Sequence, residues 1–303
     1  MTAAVIRTEA LTKSYGPHRG IVDVDLEVGE GEVFGFLGPN GAGKTTTIRV
    51  LLDLIRPTSG KASVFGLDAN ADPVAIHRRI GYLPGEFSLY DKLTGGETIE
   101  YFANLRGGVD PAYVRALVER LDLDPSRRYR EYSKGNKQKV GLVVALQHQP
   151  DLLILDEPTS GLDPLVQQTF FDLVREARSA GRTVFLSSHI ISEVERTTDR
   201  VAIIREGRLV RVDRVEALRD LSHHDVTLVF TGPVPLDTFA AIPGVSNVES
   251  HDHMLKMRVT GAIGAVVTAA SRYELVDFES REPSLEETFL AEYGRESVDV
   301  RAH

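Results

Sequence analysis

The stretch GPNGAGKT at residues 38–45 most constrains the fold of this chain, because it matches the pattern GxxxxGKT. A nearly all-apolar run, 32–37, precedes it, and Ile48, Leu51, Leu52 and Ile55 follow at i, i+3, i+4 and i+7. This context predicts a strand covered on both faces, a glycine-rich loop and an amphipathic helix ended by Pro57. Backbone N–H groups of such a loop, next to the positive end of the helix, bind phosphate oxygens.

Two side chains in the loop suit nucleotide chemistry. Lys44 is placed to neutralise the β- and γ-phosphates, and the Thr45 hydroxyl is placed to bind Mg²⁺. The residues that we predict to surround the phosphates are Gly38, Pro39, Asn40, Gly41, Ala42, Gly43, Lys44, Thr45 and Thr46.

A second apolar run, 152–155, ends in two carboxylates, Asp156 and Glu157. Active sites of parallel sheets collect at the carboxyl ends of strands. Asp156 can hold Mg²⁺ through water, and Glu157 is placed to act as the general base on an attacking water.

Strands alternate with helices along the first two thirds of the chain, which predicts an α/β fold with a mostly parallel sheet. Predicted strands are 21–28, 61–65, 80–83 and 183–186, and predicted helices are 95–107, 113–123, 134–146 and 164–180. Residues 201–211 are predicted to form a hairpin that turns at Glu206-Gly207. Acidic residues alternate with apolar ones in 21–28, so they are expected on a solvated strand face.

The pattern changes near Leu221, where prolines interrupt short strands. We interpret 221–303 as a small C-terminal α+β domain with strands at 226–230, 254–259 and 274–280 and helices at 262–272 and 284–293. Its histidines, His223, His224, His251 and His253, come without cysteines and are expected to face solvent rather than to bind zinc.

Composition narrows the classes of partner. The chain has 35 basic and 44 acidic residues, a net charge of -9, so nucleic acid is not expected as a partner. The longest near-apolar run, 260–270, is about half a transmembrane span. At a membrane, another chain would therefore have to supply the spanning helices.

The segment YSKGNKQ at 132–138 resembles the signature LSGGQ of ATP-binding cassette (ABC) proteins. In that family the signature, here Ser133 and Gly135, acts on ATP held by a second cassette. Asp163 resembles the D-loop aspartate, His189 resembles the switch histidine that contacts the γ-phosphate, and Tyr15 resembles the aromatic residue that stacks on adenine.

The resemblance implies a P-loop NTPase cassette at 1–220, with a RecA-like core, an antiparallel β subdomain and an α-helical subdomain at about 87–150. The domain at 221–303 would then be an accessory or regulatory one. The implied activity is ATP hydrolysis with Mg²⁺, in which Lys44, Glu157 and His189 are catalytic.

The segment 282–290, EPSLEETFL, resembles the tail of drug- and lipid-exporting ABC subunits. This resemblance implies an exporter motor on the cytoplasmic face of the membrane. Its implied partners are an integral membrane permease and a second cassette, identical or homologous.

Three positions depart from the family pattern. Gly85 stands where the family usually has a glutamine that reaches Mg²⁺. Either Glu86 takes this role, or a backbone carbonyl or water does; our hypothesis is Glu86, which we count with Thr45 and Asp156 as a metal residue. Lys134 and Asn136 replace the commoner glycine and glutamine of the signature, and we expect activity to survive because Ser133 and Gly135 are kept.

Two other functions are compatible with these motifs. One is an ABC ATPase that acts on ribosomes or DNA, which the single cassette, the lack of sustained heptads and the negative charge disfavour. The other is a cassette that binds ATP as a switch and barely hydrolyses it, which an ATPase assay would test.

Overall fold

The computed structural model describes residues 4–16, 18–86, 91–216, 223–233, 236–261 and 263–281. The chain divides into two compact units, Met1–Asp213 and Arg214–His303. Strands of the first unit are β1 (Ala4–Tyr15), β2 (His18–Gly29), β3 (Val33–Leu37), β4 (Ser59–Val64), β5 (Leu67–Asp68), β6 (Ile80–Leu83), β7 (Leu152–Asp156), β8 (Thr183–Ser188), β9 (Arg200–Arg205) and β10 (Arg208–Arg214). Its helices are α1 (Lys44–Leu51), α2 (Pro73–His77), α3 (Gly95–Leu105), α4 (Pro111–Arg120), α5 (Lys134–Leu146), α6 (Pro164–Ser179) and α7 (Ile191–Thr197).

A six-stranded sheet in the order β10-β9-β3-β8-β7-β6 forms the centre of the first unit. Strand β3 pairs in parallel with β8 and β9, and β7 pairs in parallel with β6 and β8. Every residue of β3, β7 and β8 is buried, as the apolar runs predict for strands covered on both faces. Because β3, β8 and β7 are parallel neighbours, the residues that follow them meet at one edge of the sheet.

A second sheet, β2-β1-β4-β5, is antiparallel and has one solvated face. In β2, Val24, Leu26 and Val28 are buried, whereas Asp23 and Asp25 are exposed. This alternation confirms the predicted half-buried strand. The predicted hairpin is also present, since β9 and β10 are neighbours and Gly207 between them has a φ of 81°.

Helices α3, α4 and α5 lie between β6 and β7 along the chain. A capping box begins α3, in which Thr94 and Glu97 satisfy each other's backbone N–H groups. The predicted helix 113–123 was placed too late. The observed α4 begins at Pro111 because the Asp110 carboxylate accepts from the N–H of Ala112, and proline suits the first helical position.

The second unit contains β11 (His223–Phe230), α8 (Leu236–Ala240), β12 (Val245–His251), β13 (Met254–Thr260), α9 (Gly264–Ala270) and β14 (Leu275–Arg281). Its antiparallel sheet has the order β12-β13-β11-β14 and its own core, with Leu228, Phe239 and Met257 buried. The predicted helix 284–293 and the exporter-like tail 282–290 lie outside the described residues. The chain segments described above include no helix that is both long and apolar enough to span a membrane.

Candidate active site

The glycine-rich loop joins β3 to α1, and close backbone packing explains two of its glycines. A Cβ atom on Gly38 would lie 2.3 Å from the carbonyl oxygen of Ile204. Gly43 has a φ of 113°, and a Cβ there would lie 2.7 Å from Cγ2 of Ile21. The loop is therefore wedged against β2 and β9, and only glycine fits at these two positions.

The Lys44 side chain folds back over the loop. Its Nζ donates to the carbonyl oxygens of Gly38 at 2.6 Å and Pro39 at 3.2 Å, and lies 3.4 Å from Oε1 of Glu157. The side chain is only 5% exposed. A buried ammonium held in this way is a fixed positive charge for a phosphate, with little side-chain entropy left to lose on binding.

The carboxylate of Asp156 is buried and hydrogen-bonded through both oxygens. Thr45 Oγ1 donates to Oδ2 at 2.7 Å, and the hydroxyl of Ser187 donates to Oδ1. A buried carboxylate needs such donors to offset its desolvation. Thr45 and Asp156, the residues we predict to hold Mg²⁺, are therefore in direct contact, although 111 residues separate the two in sequence.

Glu157 has a φ of 48°, in the left-handed region that a side-chain-bearing residue enters at a cost of about 1–2 kcal/mol. Its N–H donates to both the carbonyl oxygen and Oγ of Ser187, at 3.2 and 3.1 Å. The amide of Gln138 donates to its carbonyl at 3.2 Å. These contacts hold the turn that brings the carboxylate to Lys44 and, at 3.2 Å, to Nδ1 of His189.

The oxygen atoms around Thr45 and Asp156 are of the kind that Mg²⁺ prefers, a hydroxyl and a carboxylate close together. Glu86 is exposed and lines the same cavity, of about 390 Å³, together with Glu157 and Gly85. A Cβ on Gly85 would lie 3.3 Å from Oδ2 of Asp156, so the backbone runs close to this carboxylate. The residues present therefore fit a magnesium ion.

Gly135 lies beside Gly161, and Ser133 stands at the start of α5. Ser133 caps α5 by accepting from the N–H of Asn136 at 3.3 Å. A Cβ on Gly135 would lie 2.4 Å from the carbonyl oxygen of Gly161, so the glycine is required by close backbone packing. Neither residue lines the cavity at the phosphate loop, as far as the described residues define it.

Asp163 caps a helix, whereas Tyr15 is exposed at the end of a strand. Oδ1 of Asp163 caps α6, accepting from the N–H groups of Leu165 and Val166 at 3.1 Å each. Tyr15 is 41% exposed, and Nζ of Lys13 lies 5.4 Å from the centroid of its ring. An exposed ring at the end of β1 can stack on a base. The nucleotide contacts predicted for both residues stay predictions.

The sequence does not predict two residues that the structure places at the site, Ser187 and Gln138. Both are buried and bonded to the carboxylate pair or its backbone. A polar residue at the end of an otherwise apolar strand was the available signal for Ser187. Nothing in the sequence showed which residue it would meet.

The known proteins that this chain resembles in sequence and in structure all belong to one family. The model of the ABC transporter family matches residues 21–160. The bacitracin transport ATP-binding protein BcrA of Enterococcus faecalis is 37% identical over 217 residues, covering 71% of this chain and 70% of that protein. The daunorubicin resistance ATP-binding protein DrrA2 of Streptomyces coeruleorubidus is 33% identical, covering 100% of this chain and 99% of that protein. The solved structure of an ATP-binding subunit of an ABC transporter matches with a TM-score of 0.65 and 31% identity, covering 71% of this chain and 92% of that chain.

Proposed function

This chain belongs to the ABC transporter family, among its ATP-binding subunits, and from that membership we propose that it hydrolyses ATP as the motor of a membrane exporter. The family and fold predicted from the motifs are thereby confirmed. The observation that carries the proposal is the meeting of Lys44, Thr45, Asp156, Glu157 and His189 at one sheet edge.

Each of these residues has a separate task in phosphoryl transfer to water. The loop N–H groups and Lys44 bind the phosphates and compensate negative charge. Mg²⁺, when bound, would be held through Thr45 and Asp156 and would supply further charge neutralisation. Glu157 accepts the proton of the attacking water, and His189, at 3.2 Å from its Oε1, orients that carboxylate.

We extend the proposal to a second cassette. Ser133 begins α5 as its N-cap and Gly135 packs against Gly161, and neither lines the cavity at the phosphate loop in the described part of the chain. The positive end of α5, with the Ser133 hydroxyl, would instead bind the ATP held by Lys44 and Thr45 of a second copy or a homologous cassette. ATP would close this dimer, and hydrolysis would open it.

The membrane permease would dock on the groove near residues 85–105. Phe102 of this segment lines a cavity of about 280 Å³ together with other apolar side chains, including Leu52 and Leu54, and with Arg106 and His148 at polar positions. Such a lining suits a short amphipathic helix of the permease. The names of BcrA and DrrA2 support export of a drug or another hydrophobic substrate, with this subunit on the cytoplasmic face of the membrane.

The proposal is tested by ATPase assay, light scattering and membrane co-purification of the full chain. We expect magnesium-dependent hydrolysis by the parent protein and an ATP-dependent dimer of Glu157→Gln that Lys44→Ala does not form. We also expect an integral membrane protein to co-purify and to crosslink to cysteines introduced at Leu54 or Phe102. Hydrolysis and dimerisation without any membrane partner would contradict the exporter role and leave the ATPase role standing.

A further inference from the structure

Ser187 is the one residue of β8 that contacts both members of the carboxylate pair in the described part of the chain. It is completely buried and lies opposite Asp156 in the register of β7 and β8. On its other side β3 places Phe36 opposite it. The serine is therefore fixed in the middle of the sheet, with no freedom to move independently of the strands.

The directions of its hydrogen bonds follow from the chemistry of the partners. The backbone N–H of Glu157 can only donate, so Oγ of Ser187 accepts from it at 3.1 Å. The ionised carboxylate of Asp156 can only accept, so the single hydroxyl proton of Ser187 goes to Oδ1. One side chain thus links the backbone of Glu157 to the carboxylate of Asp156, and bonds in series polarise one another.

This link has a consequence for each carboxylate. With Oδ1 of Asp156 bound to Ser187, the plane of the carboxylate is set and Oδ2 is directed to Thr45, at 2.7 Å. With its N–H held by Ser187, Glu157 stays in its left-handed conformation, which brings its Oε1 to Lys44 and His189. The orientation of the metal-holding carboxylate therefore depends on this hydroxyl, and that of the general base depends on the hydroxyl together with the carbonyl oxygen of the same serine.

We propose that Ser187 is a positioning residue of the ATPase site, whose hydroxyl sets the Asp156 carboxylate for the divalent cation and the Glu157 backbone for attack by water. This role rests on the proposed ATP hydrolysis. It goes beyond it by assigning a function to a fully buried residue to which the hydrolysis scheme above gives no task. The alternative is that Ser187 only satisfies a buried carboxylate and contributes to stability.

The neighbouring Ser188 provides a matched control. It is also buried, on the same strand, and its hydroxyl donates to Oε2 of Glu193 at 2.8 Å instead of to the carboxylate pair. Ser187→Ala and Ser188→Ala each remove one buried hydroxyl from β8. Because alanine is smaller than serine, neither substitution overpacks the core. Ser187→Thr keeps the hydroxyl and tests rescue.

The experiment measures Mn²⁺ binding by electron paramagnetic resonance, with a non-hydrolysable ATP analogue present, and magnesium-dependent ATPase kinetics, all on the full chain. For Ser187→Ala we expect about tenfold weaker Mn²⁺ binding, the change expected for a lost hydrogen bond to a charged group. We expect kcat to fall by about tenfold or more, with the KM for ATP within about threefold of the parent. Ser188→Ala should lose thermal stability but keep its Mn²⁺ affinity, and Ser187→Thr should restore Mn²⁺ binding if it folds.

Equal Mn²⁺ affinities of Ser187→Ala and the parent would overturn the proposal. An equal loss of Mn²⁺ affinity in Ser187→Ala and Ser188→Ala would overturn it as well. The Mn²⁺ measurement needs no turnover. If the parent chain failed to hydrolyse ATP, the proposed function would fail, while weaker Mn²⁺ binding in Ser187→Ala alone would still support the positioning of Asp156.

Discussion

Nζ of Lys44 lies 3.4 Å from Oε1 of Glu157, and Nδ1 of His189 lies 3.2 Å from the same oxygen. A single carboxylate oxygen is thus shared between Lys44, which we propose binds phosphate, and His189, which we propose orients this carboxylate. The Glu157 side chain is 25% exposed, whereas Lys44 is 5% exposed, so the carboxylate is the member of the pair that water can reach. The geometry favours Glu157 as the base and Lys44 as the fixed phosphate-binding charge.

Replacing Glu157 by glutamine is expected to separate binding from turnover. The amide keeps the shape of the side chain but cannot accept a proton, so kcat should fall by about 10²–10⁴-fold, the range typical of general bases. ATP affinity should stay within a few fold, since the loop and Lys44 are unchanged. Steady-state kinetics and binding of a fluorescent ATP analogue measure the two effects.

A matched control for that variant is Glu176→Gln, which breaks an exposed ion pair with Arg120 at 2.7 Å. Its activity should match that of the parent, because exposed pairs contribute little. Hydrolysis by Glu157→Gln at the parent rate would remove Glu157 from the role of general base.

Alanine at Gly135 is expected to lower the ATPase activity strongly, whereas alanine at the adjacent Lys134 is expected to change it little. In Gly135→Ala the new Cβ would lie 2.4 Å from the carbonyl oxygen of Gly161, so the backbone must shift. A displacement of about 1 Å in a catalytic element can lower activity by about 10²-fold. Lys134 is exposed and donates to Oγ of Ser160 at 2.8 Å. Lys134→Ala loses only this exposed contact, so we expect kcat to change by at most about threefold.

ATPase rates of Gly135→Ala and Lys134→Ala, at saturating and at limiting ATP, test this prediction. Thermal unfolding of each variant separates a folding defect from a lost dimer contact. Equal activity of Gly135→Ala and Lys134→Ala would show that the close approach to Gly161 relaxes without effect on the site.

Glu86→Ala tests which group replaces the usual glutamine. Glu86 lines the cavity that contains Thr45 and Asp156, so we expect its loss to raise the magnesium concentration for half-maximal ATPase by about three- to tenfold. Glu100→Ala, an exposed acid on α3, is the control. Unchanged magnesium dependence and coupling in Glu86→Ala would assign the role to a backbone carbonyl or water near Gly85.

The parts of the fold that the sequence predicted are those determined locally. Strands β3, β7 and β8 are buried on both faces and appear as apolar runs, and the glycine loop lies between a strand and a helix that are adjacent in the chain. The carboxylates of Asp156 and Glu157 could be placed because they end such a run. Strand β12 was missed because its alternation is weak and most of its residues are exposed.

The parts that the sequence did not predict depend on contacts between distant segments. Ser187 meets Asp156 only because β7 and β8 pair in one particular register, which no local pattern encodes. Gln138 reaches the carbonyl of Glu157 because α5 packs beside the turn after β7. Gly135 was assigned to phosphate binding from its resemblance, and the structure adds a packing reason, its approach to Gly161.

Stability is expected to fall as pH rises above about 10, because of two tyrosines in the first unit. Burial raises the pKa of Tyr82 to about 12, with a further contribution from the negative charge of Asp156. Burial also raises the pKa of Tyr129 to about 12. In the unfolded chain a tyrosine loses its proton near pH 10, so between these values the unfolded state binds fewer protons than the folded state.

The sign of this effect follows from linkage: the contribution of each tyrosine is fully present below about pH 10 and is lost as pH rises toward 12. Tyr82→Phe cannot ionise, so the free energy of unfolding of this variant should fall less steeply with pH than that of the parent. Denaturant titrations at several values between about pH 9 and about pH 11 measure the slopes. Identical slopes for the parent and Tyr82→Phe would show that Tyr82 ionises equally readily in the folded and unfolded states. That result would contradict the prediction that burial raises the pKa of Tyr82.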